Sequence, residues 1–296
     1  MMTRKLDFLI IGAMKSGTTT LHDYLSTHPG VCLASPKEPQ YFSRDNVFAK
    51  GELWYSTLFS AAKIGQLWGE SSTCYSRSPK YKDAAKRIYD YSPKAKIIYI
   101  MRHPVDRAYS HYGHLVLNDG KQFNSFEDAI EQEEEIISAS KYMFQIQQYM
   151  NFYSKEQLLL IDFDEFVNSP QKILMQVQIF LGLDLAELYN VKKISNDAGS
   201  SKIRRNTIKN IRLIRNLPLI KFLIDRVLTK EKREDILNFI TKNILNSKII
   251  NFQKEKLKSE LGAMSIETRS RLLVELHSDT ELLFKFWGRT IPAWFK

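Results

Sequence analysis

Lys15-Ser16-Gly17-Thr18-Thr19-Thr20 follows directly on an apolar run, Phe8-Leu-Ile-Ile-Gly-Ala-Met14. Those residue types in that order suit the binding of a phosphate. Backbone N–H groups at the start of a helix, supplemented by hydroxyls and one ammonium, form an anion cradle. The usual nucleotide-binding loop places its lysine after the second glycine. Here Lys15 precedes Gly17, so its ammonium enters the anion site from a different place.

A second group lies in Arg102-His103-Pro104-Val-Asp-Arg107-Ala-Tyr-Ser110. Arg102 ends the apolar run Ala95–Met101, and Pro104 suits the first position of a helix. In open α/β sheets, ligands bind at the carboxyl ends of strands. Arg107 and Ser110, three residues apart, share a helix face. With Arg102 they supply two guanidiniums and a hydroxyl for a second phosphate. The plainer reading is a capped strand end and an ordinary charged helix. The first loop tips the balance toward phosphate.

Both groups require strands that end where they begin. Residues 7–12 read as a buried strand and residues 18–27 as a helix stopped near Pro29-Gly30. Val31–Leu33, Gln66–Gly69, Ala95–Met101 and Gln157–Asp162 are further strands. Helices are expected over 53–62, 80–91, 104–117, 141–153, from Pro170 to about Leu181, and over the tail from Thr268. Ser125-Phe-Glu-Asp128 fits a capping box opening another helix. Strands alternating with helices predict an α/β protein, a P-loop-like three-layer fold whose mainly parallel central sheet is flanked by helices.

The chain has 296 residues, 44% hydrophobic and 26% charged, ordinary for a globular protein. It is read as one domain over 1–296. There is no run of about eighteen apolar residues, so no stable membrane insertion is expected. Neither does the amino terminus read as a secretory signal. Two cysteines, Cys32 and Cys74, argue for a reducing compartment, and a cytoplasmic location is expected. Residues 200–260 hold sixteen Lys/Arg against six Asp/Glu, which accounts for the whole net charge of +10. A localised positive field suits a polyanionic ligand or a membrane surface, while a solvated helical face is the plainer alternative.

With both motifs in view, the chain resembles sulfotransferases that use 3′-phosphoadenosine 5′-phosphosulfate (PAPS). Pro36-Lys37-Glu38-Pro39-Gln40-Tyr41-Phe42 and Gly69-Glu70-Ser-Ser-Thr-Cys-Tyr75 are similar to the bacterial and heparan-sulfate branch of that family. The resemblance covers nearly the whole chain and is weakest over 200–260. It implies that Lys15, Ser16, Gly17, Thr18, Thr19 and Thr20 bind the 5′-phosphosulfate, with Lys15 also stabilising the leaving group. It implies that Arg102 and Ser110 hold the 3′-phosphate, with Arg107 assisting. Glu38 is implied as the catalytic base, Glu70 standing in reserve; the plainer reading of Glu38 is a loop carboxylate paired with Lys37 or Arg44. Where the branch often has His, this chain has Gln40. His22, His111 and His114 read as helix-surface or packing residues. Lys202, Arg204 and Arg205, behind Gly199, fall where the family closes a loop over the donor. The resemblance further implies adenosine 3′,5′-bisphosphate (PAP) as the product and no requirement for a metal.

The expected reaction moves a sulfonate to a hydroxyl of a small-molecule or carbohydrate acceptor, with N-sulfation also open and no nucleic acid as partner. Two rivals stand against it. A P-loop kinase or NTPase draws support from Leu158-Leu-Leu-Ile-Asp162, which imitates an acidic strand end, but lacks Gly-Lys-[Ser/Thr]. A non-enzymatic polyanion binder draws support from the basic stretch, where Phe222, Phe239 and Phe252 are interspersed, but together with the many Ile and Leu they recur at helical spacing and suit a core better.

Overall fold

The computed structural model describes residues 4–186 and 261–296. The basic stretch, with Lys202, Arg204 and Arg205, lies outside the described residues. Five strands form one sheet in the order β2-β3-β1-β4-β5, every pair parallel. They are β1 (Phe8–Gly12), β2 (Val31–Leu33), β3 (Leu67–Ser71), β4 (Lys96–Met101) and β5 (Leu158–Asp162). Between and after them run α1 (Thr18–Ser26), α2 (Asp45–Phe48), α3 (Gly51–Thr57), α4 (Ala84–Tyr91), α5 (Pro104–His114), α6 (Phe126–Gln132), α7 (Glu135–Ser138), α8 (Tyr142–Met150), α9 (Phe163–Asn168), α10 (Pro170–Leu181) and α11 (Ile266–Trp287).

The period-2 alternation of strand side chains divides the core into two layers. Phe8 and Ile10 of β1, Ile98 and Ile100 of β4, and Leu159 and Ile161 of β5 pack with Leu21 and Leu25 of α1 and Ile173, Leu174 and Val177 of α10. Leu9, Ile11, Ile97, Tyr99 and Leu160 point to the other face. There they meet Tyr55 of α3, Ile88 and Tyr91 of α4, Tyr142, Ile146 and Tyr149 of α8, and Leu283 and Phe284 of α11. The expected three-layer α/β arrangement is present.

The described residues fall into two compact units. One comprises residues 4–111, 129–186 and 265–296 and contains the sheet. The other has 112–128 and 261–264 as its described residues. Within its described part, a π-helical turn at Leu115–Asp119 closes with Lys121 N–H on the Leu115 carbonyl (3.0 Å), and Tyr112 packs against Phe123 and Phe126. There Ser125 Oγ accepts the Asp128 amide (3.2 Å), one half of the expected capping box. Asp128 turns instead to the amide of Asn124 (2.8 Å). Among the described residues no helix is long and apolar enough to cross a membrane.

Two local expectations differ from the structure. The helix expected over 53–62 is instead the pair α2 and α3, separated near Lys50 and Gly51, the latter at φ 81°. Asp162 does not simply end a strand. Its carboxylate accepts the Asp164 amide (3.2 Å) and caps α9, a helix absent from the sequence reading. The acidic residue that imitates a nucleotidase strand end is therefore a helix cap.

Candidate active site

From β1 the chain leaves toward β2 at one edge, and from β4 toward β5 at the other. The carboxyl ends of these adjacent strands thus form a topological switch point, where open parallel sheets take ligands. The first loop and Arg102 stand there. Lys15 (φ 71°) and Gly17 (φ 86°) both lie in the left-handed region, with buried Ser16 between them. A turn on alternating left-handed residues gathers backbone N–H groups into an anion-binding concavity. Gly17 is the N-cap of α1 and has no side chain to cap it, so the first-turn amides of Thr18, Thr19 and Thr20 lack a side-chain acceptor at the positive end of the helix dipole. Thr18 is buried, whereas Lys15, Thr19 and Thr20 are half-buried.

Gly17 is also required by space. A Cβ there would come within 3.0 Å of the Phe163 ring. The same ring lies under the Arg102 guanidinium, 5.4 Å from its centroid. Phe163, the first residue of α9, therefore sits against both the loop and Arg102, and nothing in its sequence pattern announced it. Among the described residues no carboxylate pairs with the Arg102 guanidinium, which is half-buried. The Arg102 backbone is clamped by Tyr142, whose hydroxyl donates to the Arg102 carbonyl (2.7 Å) and accepts its amide (3.3 Å). Ser16 Oγ lies near the same phenol and is buried without a hydrogen-bond partner. Tyr142 opens α8, and Asp279 of α11 caps that helix by accepting the amides of Met143 and Phe144, each at 2.9 Å.

Arg107 departs from its expected role. It is fully buried, donating to Ser140 Oγ (2.6 Å) and the Ile136 carbonyl, with His111 beside it. Its charge holds the α7 region and does not face the Arg102 loop. Ser110, one turn on, is half-buried on the same helix.

Glu38 occupies a loop docked on the end of β3. Its amide donates to the Ser71 carbonyl (3.1 Å), and its φ is 56°. The carboxylate pairs with Lys37 (2.9 Å) and receives a weak hydrogen bond from Thr73 (3.4 Å). The Lys37 pairing weighed for it is thus real, but both side chains are partly exposed, and such pairs contribute only about 0.2–1 kcal/mol. Breaking the pair therefore costs little. Arg44 turns to the Gln40 side chain instead. His22 of α1 is buried within electrostatic reach of Lys37 and Glu38. Burial, reinforced by Lys37, pulls it down to about 4, so it is neutral at pH 7.

Glu70, the reserve base, is sealed from solvent. Its carboxylate accepts Ser72 Oγ–H (2.6 Å), Tyr75 Oη–H (2.7 Å) and the Tyr55 hydroxyl. Burial pushes its carboxyl up to about 7 against the opposing pull of those three donors. Of the two carboxylates only that of Glu38 is partly open to solvent.

Two cationic side chains, a helix N-terminus and a carboxylate stand at the carboxyl edge of a parallel sheet, an arrangement suited to a phosphate-bearing ligand. The chain belongs to the sulfotransferase family, whose sulfotransferase-domain model matches residues 5–260. It is 33% identical over 196 residues to the mouse bifunctional heparan sulfate N-deacetylase/N-sulfotransferase 4, and 31% identical over 197 residues to the human N-deacetylase/N-sulfotransferase 2. Each match covers 60% of this chain and 22% of the relative, so the chain spans about a fifth of the length of those proteins. A sulfotransferase from Alicyclobacillus acidocaldarius has a similar structure. It is 28% identical, with a TM-score of 0.56, over 76% of this chain and 98% of that one.

Proposed function

We propose that this protein transfers a sulfonate from PAPS to an oxygen or nitrogen of a carbohydrate or small-molecule acceptor, by in-line displacement. The observation that carries the reading is the pair of cations beyond neighbouring strands. Lys15 lies just past β1 and Arg102 just past β4, joined through Phe163 and Tyr142. Bound there, the donor supplies a sulfonate whose S–O bond to the 5′-phosphate breaks as the acceptor atom bonds to sulfur. Negative charge then develops on the bridging oxygen. Lys15 and the amides at the start of α1 stabilise that charge, as preorganised donors do in a water-poor site. Ser16, Gly17 and Thr18–Thr20 hold the 5′-phosphate. Arg102, with Ser110, holds the 3′-phosphate that separates this donor from ATP. Glu38 takes the acceptor proton as the acceptor attacks.

An anionic saccharide carrying free amines or hydroxyls is the acceptor class we favour. The relatives bear the name of heparan sulfate N-sulfotransferases, and the chain carries a net charge of +10. The deciding experiment is calorimetric titration with PAP in the absence of Mg²⁺, followed by incubation with labelled PAPS and an acceptor panel that includes N-desulfated heparin. Tight PAP binding lost in Lys15→Ala, with label transferred by the native protein alone, is the expected result. Binding of Mg-ATP in preference to PAP sinks the reading.

A further inference from the structure

The two motifs that flank the site, Pro36–Phe42 and Gly69–Tyr75, are stitched together at alternate residues. The amide of Glu38 donates to the Ser71 carbonyl (3.1 Å), that of Gln40 to Ser72 Oγ (3.2 Å), and that of Phe42 to Tyr75 Oη (3.2 Å). The last two acceptors are hydroxyls, and each spends its only proton on Glu70 Oε1. A hydroxyl has one proton and two lone pairs. With the proton drawn to the carboxylate, the lone pairs of Ser72 and Tyr75 are left aimed at the two loop amides. Both protons converge on the same oxygen, so Glu70 fixes the direction in which the lone pairs of Ser72 and Tyr75 point.

The loop needs this hold. Glu38 (φ 56°) and Gln40 (φ 57°) are both left-handed non-glycine residues. Each such residue costs about 1–3 kcal/mol and persists only where its surroundings over-determine it. The tethers fall at Glu38, at Gln40 and just beyond, at Phe42.

We infer that Glu70 is the positioning residue for Glu38: through Ser72 and Tyr75 it locks the loop in the strained form that presents the Glu38 carboxylate to the acceptor. This rests on the reading of Glu38 as base. Glu70 touches neither donor nor acceptor and acts only through the two hydroxyls.

Amide hydrogen exchange by NMR, sulfonate transfer from PAPS to N-desulfated heparin and to water, and calorimetric PAP binding together test it. Ser72→Ala cuts the Gln40 tether and Tyr75→Phe the Phe42 tether, while Glu70→Gln keeps the shape and removes the charge. In Ser72→Ala and Tyr75→Phe, exchange at the released amide rises about tenfold or more and kcat falls about tenfold, with the KM for PAPS and the PAP affinity unchanged. Glu70→Gln loosens both amides by a smaller factor and lowers kcat in proportion. Glu38→Gln loses turnover with exchange at 40 and 42 unaltered. Wild-type exchange at both amides in all three tether variants overturns the inference, and so does faster exchange with undiminished kcat. Retained turnover in Glu38→Gln overturns the base instead, leaving the tethers measurable on their own.

Discussion

Glu38 carries its carboxylate on a strained backbone, in a partly exposed pair with Lys37. Removing its basicity while keeping its shape isolates the proton-transfer step. Glu38→Gln is expected to lower kcat by about 10²–10⁴ and to leave PAP affinity intact, read by initial rates and calorimetry. Near-normal turnover rules out this residue as the base. Glu70 makes a different prediction, about stability. Burial raises its carboxyl from 4.5 to about 7 in the folded protein. The folded state therefore binds a proton the unfolded state has already released. That stabilisation is complete below about pH 4.5 and is lost as pH rises through about 7, amounting to about 3 kcal/mol. Urea unfolding at pH 4.5 and pH 8 should show this loss in the native protein and not in Glu70→Gln. Parallel pH curves for the two proteins would refute it.

At the scale of elements, the site depends on how α8 and α11 are joined to the sheet. Asp279 caps α8, Tyr142 at the head of α8 clamps Arg102, and Ser16 lies against the same phenol. Tyr142→Phe keeps the packing against Tyr99 and Trp294 but removes both backbone hydrogen bonds to Arg102. PAP affinity should fall about tenfold, with little change in the acceptor KM. An equal loss for donor and acceptor would place the clamp elsewhere. The strands were legible because alternation and apolar runs dictate which face each residue takes, as Leu9 and Ile10 show. α9 was not, since six residues are too few for the spacing of Phe163, Phe166 and Val167 to establish a helix, and its start is set by the Asp162 cap. Lys15 and Arg102 were legible as strand-end residues. Three-residue spacing could not say that Arg107 turns inward while Ser110 stays half-buried. Nor could side-chain type reveal left-handed backbone at Glu38 and Gln40, where neither residue is glycine.

The whole chain's charge of +10 bears on capture of the acceptor more than on the fold. If the acceptor is an anionic saccharide, its kcat/KM should drop about tenfold or more between low and high salt, while a neutral amino sugar shows little change. Equal salt dependence for the two would remove charge from acceptor selection. α11 also bears on how the molecule is made. Every strand of the sheet has been synthesised by Asp162, yet the carboxylate that caps α8 arrives more than a hundred residues later, at Asp279. Domains assemble as the chain emerges from the ribosome. A nascent chain can thus form its sheet early, whereas the cap on α8, the helix whose first residue clamps Arg102, is completed only when α11 docks.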